Sequence, residues 1–199
     1  MRRRGKLLHA SVQTEAAAAE SDSRLETLIA AIATGDRTAV AALYEETRTA
    51  VYGFALSIVR NAEDAQDVLQ DTYVRVWSAA RGYSPMGKPM AWILTIAKNL
   101  SMSVLRERVR TPDIPEEVWL TAAAESPYER TEQRLVLSAA MRVLSDEERQ
   151  IVVLHAVTGL KHIEIARLLA LPLPTVLSKY SRARKKLEKT LREGDGDAN

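Results

Sequence analysis

The sequence predicts an all-α protein of two four-helix domains joined by a flexible linker, the second domain carrying a helix-turn-helix. Three observations carry this expectation. Apolar residues recur at three- and four-residue steps almost without interruption from Leu25 onward. Alanine and leucine are frequent, while glycine is held to eight of 199 residues, a composition that favours helix. The breaks in the pattern fall at capping residues, glycines and prolines.

Residues 1–22 lack convincing periodicity and read as a mobile basic tail, with Arg2, Arg3, Arg4 and Lys6 at its start. Leu25, Leu28, Ile29 and Ile32 then make a short amphipathic helix that Gly35 ends. Asp36 is suited to cap the next helix, which runs to about Arg60. Its apolar positions are Val40, Leu43, Tyr44, Val51, Phe54, Ala55 and Ile58. Asn61 caps a third helix, NAEDAQDVLQDTYVRVW. Gly82, Pro85, Gly87 and Pro89 break the chain into a loop. A fourth helix follows from about Pro89 to Val109, with Trp92, Ile93, Ile96, Ala97 and Leu100 as core candidates. Residues 23–109 thus form the first domain. Residues 110–129, rich in proline and acidic residues, form the linker.

The second domain, residues 130–192, opens with a helix over roughly Arg130 to Val143. Ser145-Asp146-Glu147-Glu148 then has the form of a capping box, with serine bonding forward and glutamate bonding back. The helix it starts is ended by Gly159. A short helix covers about Lys161 to Leu169, LPLP makes a turn, and a long basic helix spans Thr175 to Arg192. Residues 193–199 are a tail.

The third helix has two unlike faces. Ala65, Val68, Leu69, Thr72 and Val76 make a core stripe. Asp64, Asp67, Asp71 and Val74 lie opposite, with no basic residue between Asn61 and Asp71 to neutralise the carboxylates. Such a ridge repels DNA and is expected to face a protein. Charge is segregated elsewhere too. The net charge is only +2, yet residues 174–192 hold seven basic and one acidic residue, and residues 113–132 six acidic and one basic.

Ile163 to Arg184 fits a helix-turn-helix. Ala166 is small where two helices must cross, and Leu171 and Val176 fill the space between them. Pro174 suits a helix start. Thr175, Ser178, Lys179, Arg182 and Lys185 would face outward, where hydroxyls and long cations meet base edges and phosphates in a major groove. Ala170 departs from the glycine common in such turns. A basic solvated helix in any all-α protein is the competing reading.

No active site is expected. His9, His155 and His162 have no metal-ligand spacing, and the chain has no cysteine to join them. His155 reads as a helix-face residue and His162 as a surface one. The aspartates of the third helix lie along one face without a base or pocket. The chain is therefore expected not to be an enzyme and to need no cofactor or metal. No apolar run approaches the roughly 20 residues that span a bilayer, and no apolar h-region follows the basic start. No membrane insertion and a cytoplasmic location are expected.

Ala62-Glu63-Asp64, Gln70-Asp71, Tyr73 and Trp77, taken with Trp92 to Arg106, resemble the first conserved region of bacterial extracytoplasmic-function sigma factors of the sigma-70 family. Leu144 to Gly159, Glu164-Ile165-Ala166, Thr175-Val176 and Arg182-Ala183-Arg184 are similar to that family's −35-reading region. The resemblance covers about residues 25–190. It implies an RNA polymerase sigma factor, with region 2 in the first domain and region 4 in the second. The implied partners are core RNA polymerase, through its clamp coiled-coil and flap, promoter DNA, and an anti-sigma factor. Core-polymerase contacts would fall on Asp64, Asp67, Gln70, Asp71, Val74 and Trp77. The −10 element, with an unstacked base, would be held by Arg81, Tyr83, Lys88, Lys98, Asn99 and Arg106. The −35 element would be read by Thr175, Ser178, Lys179, Arg182 and Lys185. Ser103, Lys161, Pro174 and Leu177 replace residues usual in the family. A stand-alone helix-turn-helix regulator would explain the second domain but leave the acidic ridge idle, and a helical interaction protein would leave the basic helix as a solvated face.

Overall fold

The computed structural model describes residues 19–110 and 141–196. All of the expected linker but Arg110, most of the expected basic tail and most of the helix expected over residues 130–143 lie outside the described residues; Arg110 ends a helix. Among the described residues all regular structure is helical.

Helix α1 covers residues 19–33 and so begins ahead of the expected domain start at residue 23. No glycine or proline separates residues 19–22 from the amphipathic stretch, and nothing local stops the helix from extending. Its end is as expected: Gly35 takes φ +97°, open only to a residue without a Cβ penalty. The Asp36 carboxylate accepts from the Thr38 amide at 2.8 Å and the Ala39 amide at 3.3 Å, starting α2 (Arg37–Val59). Helix α2 is the axis of the first unit. Leu43, Val51, Phe54 and Ala55 are fully buried along it. Arg60 closes it in the left-handed conformation at φ 57°.

The Asn61 side chain accepts from the Asp64 amide at 3.0 Å and starts α3 (Ala62–Ala79). Its buried stripe is Ala65, Val68, Leu69, Thr72, Tyr73 and Val76. Tyr73 joins that stripe because its hydroxyl finds Thr47 Oγ1 at 2.6 Å and its ring meets Tyr44 edge-on. A 3-10 turn, Ala80–Gly82, leads into the loop before α4 (Pro89–Arg110). Ile93, Leu94 and Ala97 of α4 are fully buried, whereas Trp92, Ile96 and Leu100 are half-buried at the core's edge.

In the second unit the Ser145 hydroxyl accepts from the Glu148 amide at 3.4 Å, and the Glu148 carboxylate accepts from the Ser145 amide at 2.9 Å. This capping box starts α5 (Asp146–Ala156). Helix α6 (His162–Leu169) and helix α7 (Leu173–Gly196) form the helix-turn-helix. Ile151, Leu154, Ile165, Val176 and Ala183 are fully buried between the three, and Ala166 is buried where α6 meets α7.

Ala170 ends α6 in the left-handed conformation at φ 55°, and the Leu171 amide bonds back to the Ala166 carbonyl at 2.9 Å. The turn has the shape that glycine would supply, held by an alanine at a steric cost. Ala170→Gly should therefore stabilise the protein by about 0.5–1 kcal/mol, the strain relieved being partly offset by the freer unfolded chain. A higher urea midpoint at unchanged slope would show it; a lower one would mean the turn is unstrained.

The two units are packed together. Their buried side chains form one continuous apolar cluster, with α5 against α2. A Cβ built on Gly53 of α2 would sit 3.8 Å from Val153 Cγ1 of α5. Arg60 at the end of α2 pairs with Asp146 at the start of α5. Helix α6 lies against α4 and the loop before it.

Candidate nucleic-acid and protein interfaces

Helix α3 turns its expected outer face to solvent, with one exception. Asp67, Gln70 and Asp71 are exposed, Val74 is 68% exposed and Trp77 39%. Two large apolar side chains beside two carboxylates, with nothing among the described residues covering them, make an exposed amphipathic face. Asp64 departs from the expected unneutralised row. It is half-buried and ion-paired with Arg108 of α4, which also donates to the Val59 carbonyl at 2.9 Å. The row lacks a basic neighbour in sequence but gains one in space, because α4 packs antiparallel beside the start of α3.

The loop between α3 and α4 is organised by a residue the sequence reading missed. Glu26 of α1 accepts from the Tyr83 hydroxyl at 3.3 Å and, through the same oxygen, from the Gly87 amide at 2.8 Å. One carboxylate thus ties both ends of residues 83–87, with Gly87 at φ +62°. The Tyr83 ring leans on Trp92, centroids 4.9 Å apart. Burial and the Glu26 charge push its phenol up to about 12, so it remains a hydrogen-bond donor. Met86 stands out at the loop's tip. No pattern in the sequence marked Glu26, because its partners lie 57 and 61 residues away.

Of the other residues expected to meet the −10 element, Arg81, Asn99 and Arg106 are exposed. Arg106 donates to Ser103 Oγ at 2.9 Å and to the Met102 carbonyl at 3.2 Å, so serine here supports the arginine as a hydroxyl acceptor. Lys88 and Lys98 are engaged elsewhere. The Lys88 ammonium lies 2.5 Å from a Glu164 carboxylate oxygen, and Lys98 donates to the Leu168 carbonyl at 2.7 Å, both on α6.

The basic face of α7 is partly free. Ser178, Arg182 and Lys185 are exposed and Thr175 is half-buried. Lys179 does not point outward as expected; it pairs with Glu147 of α5 at 2.6 Å, because the acidic first turn of α5 lies beside α7. Lys186 similarly reaches the buried Glu148 at 2.7 Å.

The two expected peripheral histidines meet. The rings of His155 and His162 stack with centroids 4.4 Å apart, and Tyr180 of α7 stands edge-on to both. His155 Nδ1 lies 3.0 Å from the Leu160 carbonyl, which can only accept, so that nitrogen carries a proton. His162 Nε2 is buried without a hydrogen-bond partner. Burial, then the charge of His155, holds the His162 imidazole below its usual range. A base with a depressed folded value binds fewer protons folded than unfolded. Its contribution is present above the ordinary histidine range and is lost as pH falls through it. The melting temperature should therefore drop as pH falls below about 6.5, and the drop should shrink in His162→Phe, which keeps a stacking ring. An equal drop in both proteins would clear His162.

Among the described residues there is no group of three or more histidine or carboxylate side chains fit to hold a metal, and no helix long and apolar enough to cross a membrane.

Comparison with known proteins supplies two matches in tandem. Residues 43–111 match the family model for Sigma-70 region 2, and residues 134–187 that for Sigma-70, region 4. The chain is 30% identical over 166 residues to the ECF RNA polymerase sigma factor SigK of Mycobacterium sp. (strain KMS), covering 78% of this chain and 84% of that protein. It is 28% identical over 178 residues to SigK of Mycobacterium tuberculosis (strain ATCC 25177 / H37Ra), covering 85% and 94%. Among solved structures it is similar to CnrH in complex with the cytosolic domain of CnrY, with a TM-score of 0.61 and 26% identity over 85% of this chain and 98% of that one. The fold is also that of RpoE in complex with the anti-sigma factor NepR from Bartonella quintana, with a TM-score of 0.61 and 24% identity over 76% and 97%.

Proposed function

This chain belongs to the extracytoplasmic-function group of the sigma-70 family and is an RNA polymerase sigma factor, and from that premise we propose how its surfaces divide the work. The unit of residues 23–109 docks on the polymerase and handles the −10 element. The unit of residues 130–192 reads the −35 element. The free acidic and aromatic face of α3, standing on the same chain as a helix-turn-helix, is the observation that carries this reading.

On α3, Asp67, Gln70, Asp71, Val74 and Trp77 meet the clamp coiled-coil of core polymerase. Asp64 contributes by fixing the start of α3 against α4 through Arg108. The second unit rests near the flap. Ser178, Arg182 and Lys185 enter the major groove at the −35 element, where the hydroxyl and the two cations divide base-edge and phosphate contacts. Thr175 and Lys179 border that face, and Lys179 joins it on leaving Glu147.

The 83–88 loop and the exposed side of α4 take the non-template strand of the −10 element. Unstacking one base costs a few kcal/mol, which contacts to the freed base and its phosphates offset. The loop tied by Glu26 gives a preformed edge, and Arg81, Lys88, Lys98, Asn99 and Arg106 supply donors. No nucleotide hydrolysis enters this scheme, because the strand is held rather than driven. The chain acts as a specificity subunit in the cytoplasm, and an anti-sigma factor covering these same faces is its third partner.

Pull-down with core polymerase at moderate salt, followed by run-off transcription from the DNA upstream of the chain's own coding sequence, tests the scheme. Retention of the polymerase and a discrete transcript are expected. Failure to retain core polymerase would remove the scheme at its base.

A further inference from the structure

We propose that Leu177 on helix α7 reads thymine in the −35 element, by packing against the C5-methyl group in the major groove. This rests on the assignment of α7 to the −35 element made above, and it adds to that assignment a residue and a base.

Leu177 lies near the N-terminus of α7, the end of the second helix that meets base edges in a helix-turn-helix. Its neighbour Val176 is fully buried and fixes the rotation of the helix, so that Leu177 and Ser178, the next two residues, turn away from the core. Leu177 is 47% exposed. It stands outside the apolar cluster that takes in Leu173, Val176 and Tyr180 of the same helix. A single exposed leucine on a protein surface needs no explanation. This one is set apart by what surrounds it.

The outer side of α7 divides into two stripes at helical spacing. Thr175, Ser178, Arg182 and Lys185 make a basic stripe. Leu177, Ser181, Arg184 and Glu188 make the other, and its two charges offset each other, with Arg184 Nε 3.3 Å from a Glu188 carboxylate oxygen. Lys179, the cation nearest to Leu177 along the chain, is turned aside to Glu147 at 2.6 Å. The cations that suit phosphates therefore begin at Arg182, more than a turn further into the helix. The leading end of α7 is neutral and carries a large apolar side chain. Phosphates offer such a side chain nothing. Among the groups that base pairs present in the major groove, the thymine methyl is the apolar one. Leucine against that methyl removes both from water. Cytosine at the same place would present an amino donor that leucine leaves unpaired.

The test uses core polymerase bound to the full chain, and two duplexes of the DNA upstream of the chain's own coding sequence. In one of them deoxyuridine, which lacks the methyl, replaces thymine upstream of the −10 element. The parent holoenzyme should bind the thymine duplex about 4-fold more tightly for each methyl met, as expected for burial of one CH2-sized group. Leu177→Ala should abolish that preference, and Leu177→Met, which keeps the apolar reach, should retain it. Leu177→Lys should bind both duplexes alike, with a salt dependence steeper by about 0.9 for the phosphate it gains. Equal affinity of the parent for both duplexes would overturn the proposal. So would a preference that survives in Leu177→Ala, since another residue would then read the methyl. A loss in Leu177→Ala that is equal on both duplexes would also overturn it, by placing the leucine against polymerase or in the fold. Arg182→Ala with Lys185→Ala on the thymine duplex checks the underlying assignment separately. Weaker binding with a shallower salt dependence supports the −35 assignment whatever the fate of Leu177; unchanged affinity and slope would remove that assignment, and the proposal with it.

Discussion

Phe54→Ala should cost the protein about 3–5 kcal/mol, a large share of the roughly 5–15 kcal/mol that holds a typical protein folded. Phe54 is fully buried in α2, the helix that packs on α3, α4 and α5. Removing the ring forfeits its transfer free energy and leaves a cavity that helices fixed on several sides cannot close. Because the apolar cluster runs through both units, the loss should also lower the stability of the helix-turn-helix. Urea unfolding followed by circular dichroism would measure it. A loss under about 1 kcal/mol would mean that the neighbours collapse onto the site, against the close packing described above.

The second large effect should appear on the docking face of α3. Reversing both free carboxylates, Asp67→Arg with Asp71→Arg, should weaken core-polymerase binding at least about 100-fold, since like charges facing across an interface cost several kcal/mol. Trp77→Ala should cost about 2 kcal/mol, as aromatic anchors at interfaces commonly do. Asp64→Asn should behave differently. Its pair with Arg108 is about one-third exposed, so its loss should lower stability by at most about 1 kcal/mol after solvent screening, with little effect on polymerase affinity. Competition binding to core polymerase, read beside the unfolding midpoint, separates the two roles. If Asp64→Asn weakened polymerase binding as much as the double reversal, the division of α3 into an anchor and a docking face would fail.

The helices were legible because their signals are local. Gly35, Asp36, Asn61 and the Ser145–Glu148 box sit within a few residues of the amides and carbonyls they serve, and each does so as expected. The apolar stripe of α3 followed from spacing alone. Ala170 shows the same locality from the other side: the turn needs a left-handed residue, and the chain supplies one without glycine. The start of α1 was misjudged because residues 19–22 carry no strong periodic pattern, although nothing in them breaks a helix.

Side-chain partnerships were not legible. Arg108 reaches Asp64 across 44 residues, Lys98 reaches Leu168 across 70, and Tyr83 reaches Glu26 across 57. A charge on a helix face states its sign and its side; it does not state which helix will pack there. The His155, His162 and Tyr180 cluster has the same origin, three rings from three segments that only the crossing of α5, α6 and α7 brings together.

The sequence by itself determined the all-α class, the helix-turn-helix, the amphipathic third helix and the sigma-70 family, because periodicity, caps and motif spacing are short-range properties of the chain. Only the tertiary structure decided that Asp64 pairs with Arg108, that Glu26 ties the loop before α4, and that α6 meets Lys88 and Lys98. Those outcomes depend on which helix faces are buried against each other, and that is settled by the packing of the whole apolar cluster rather than by any one segment.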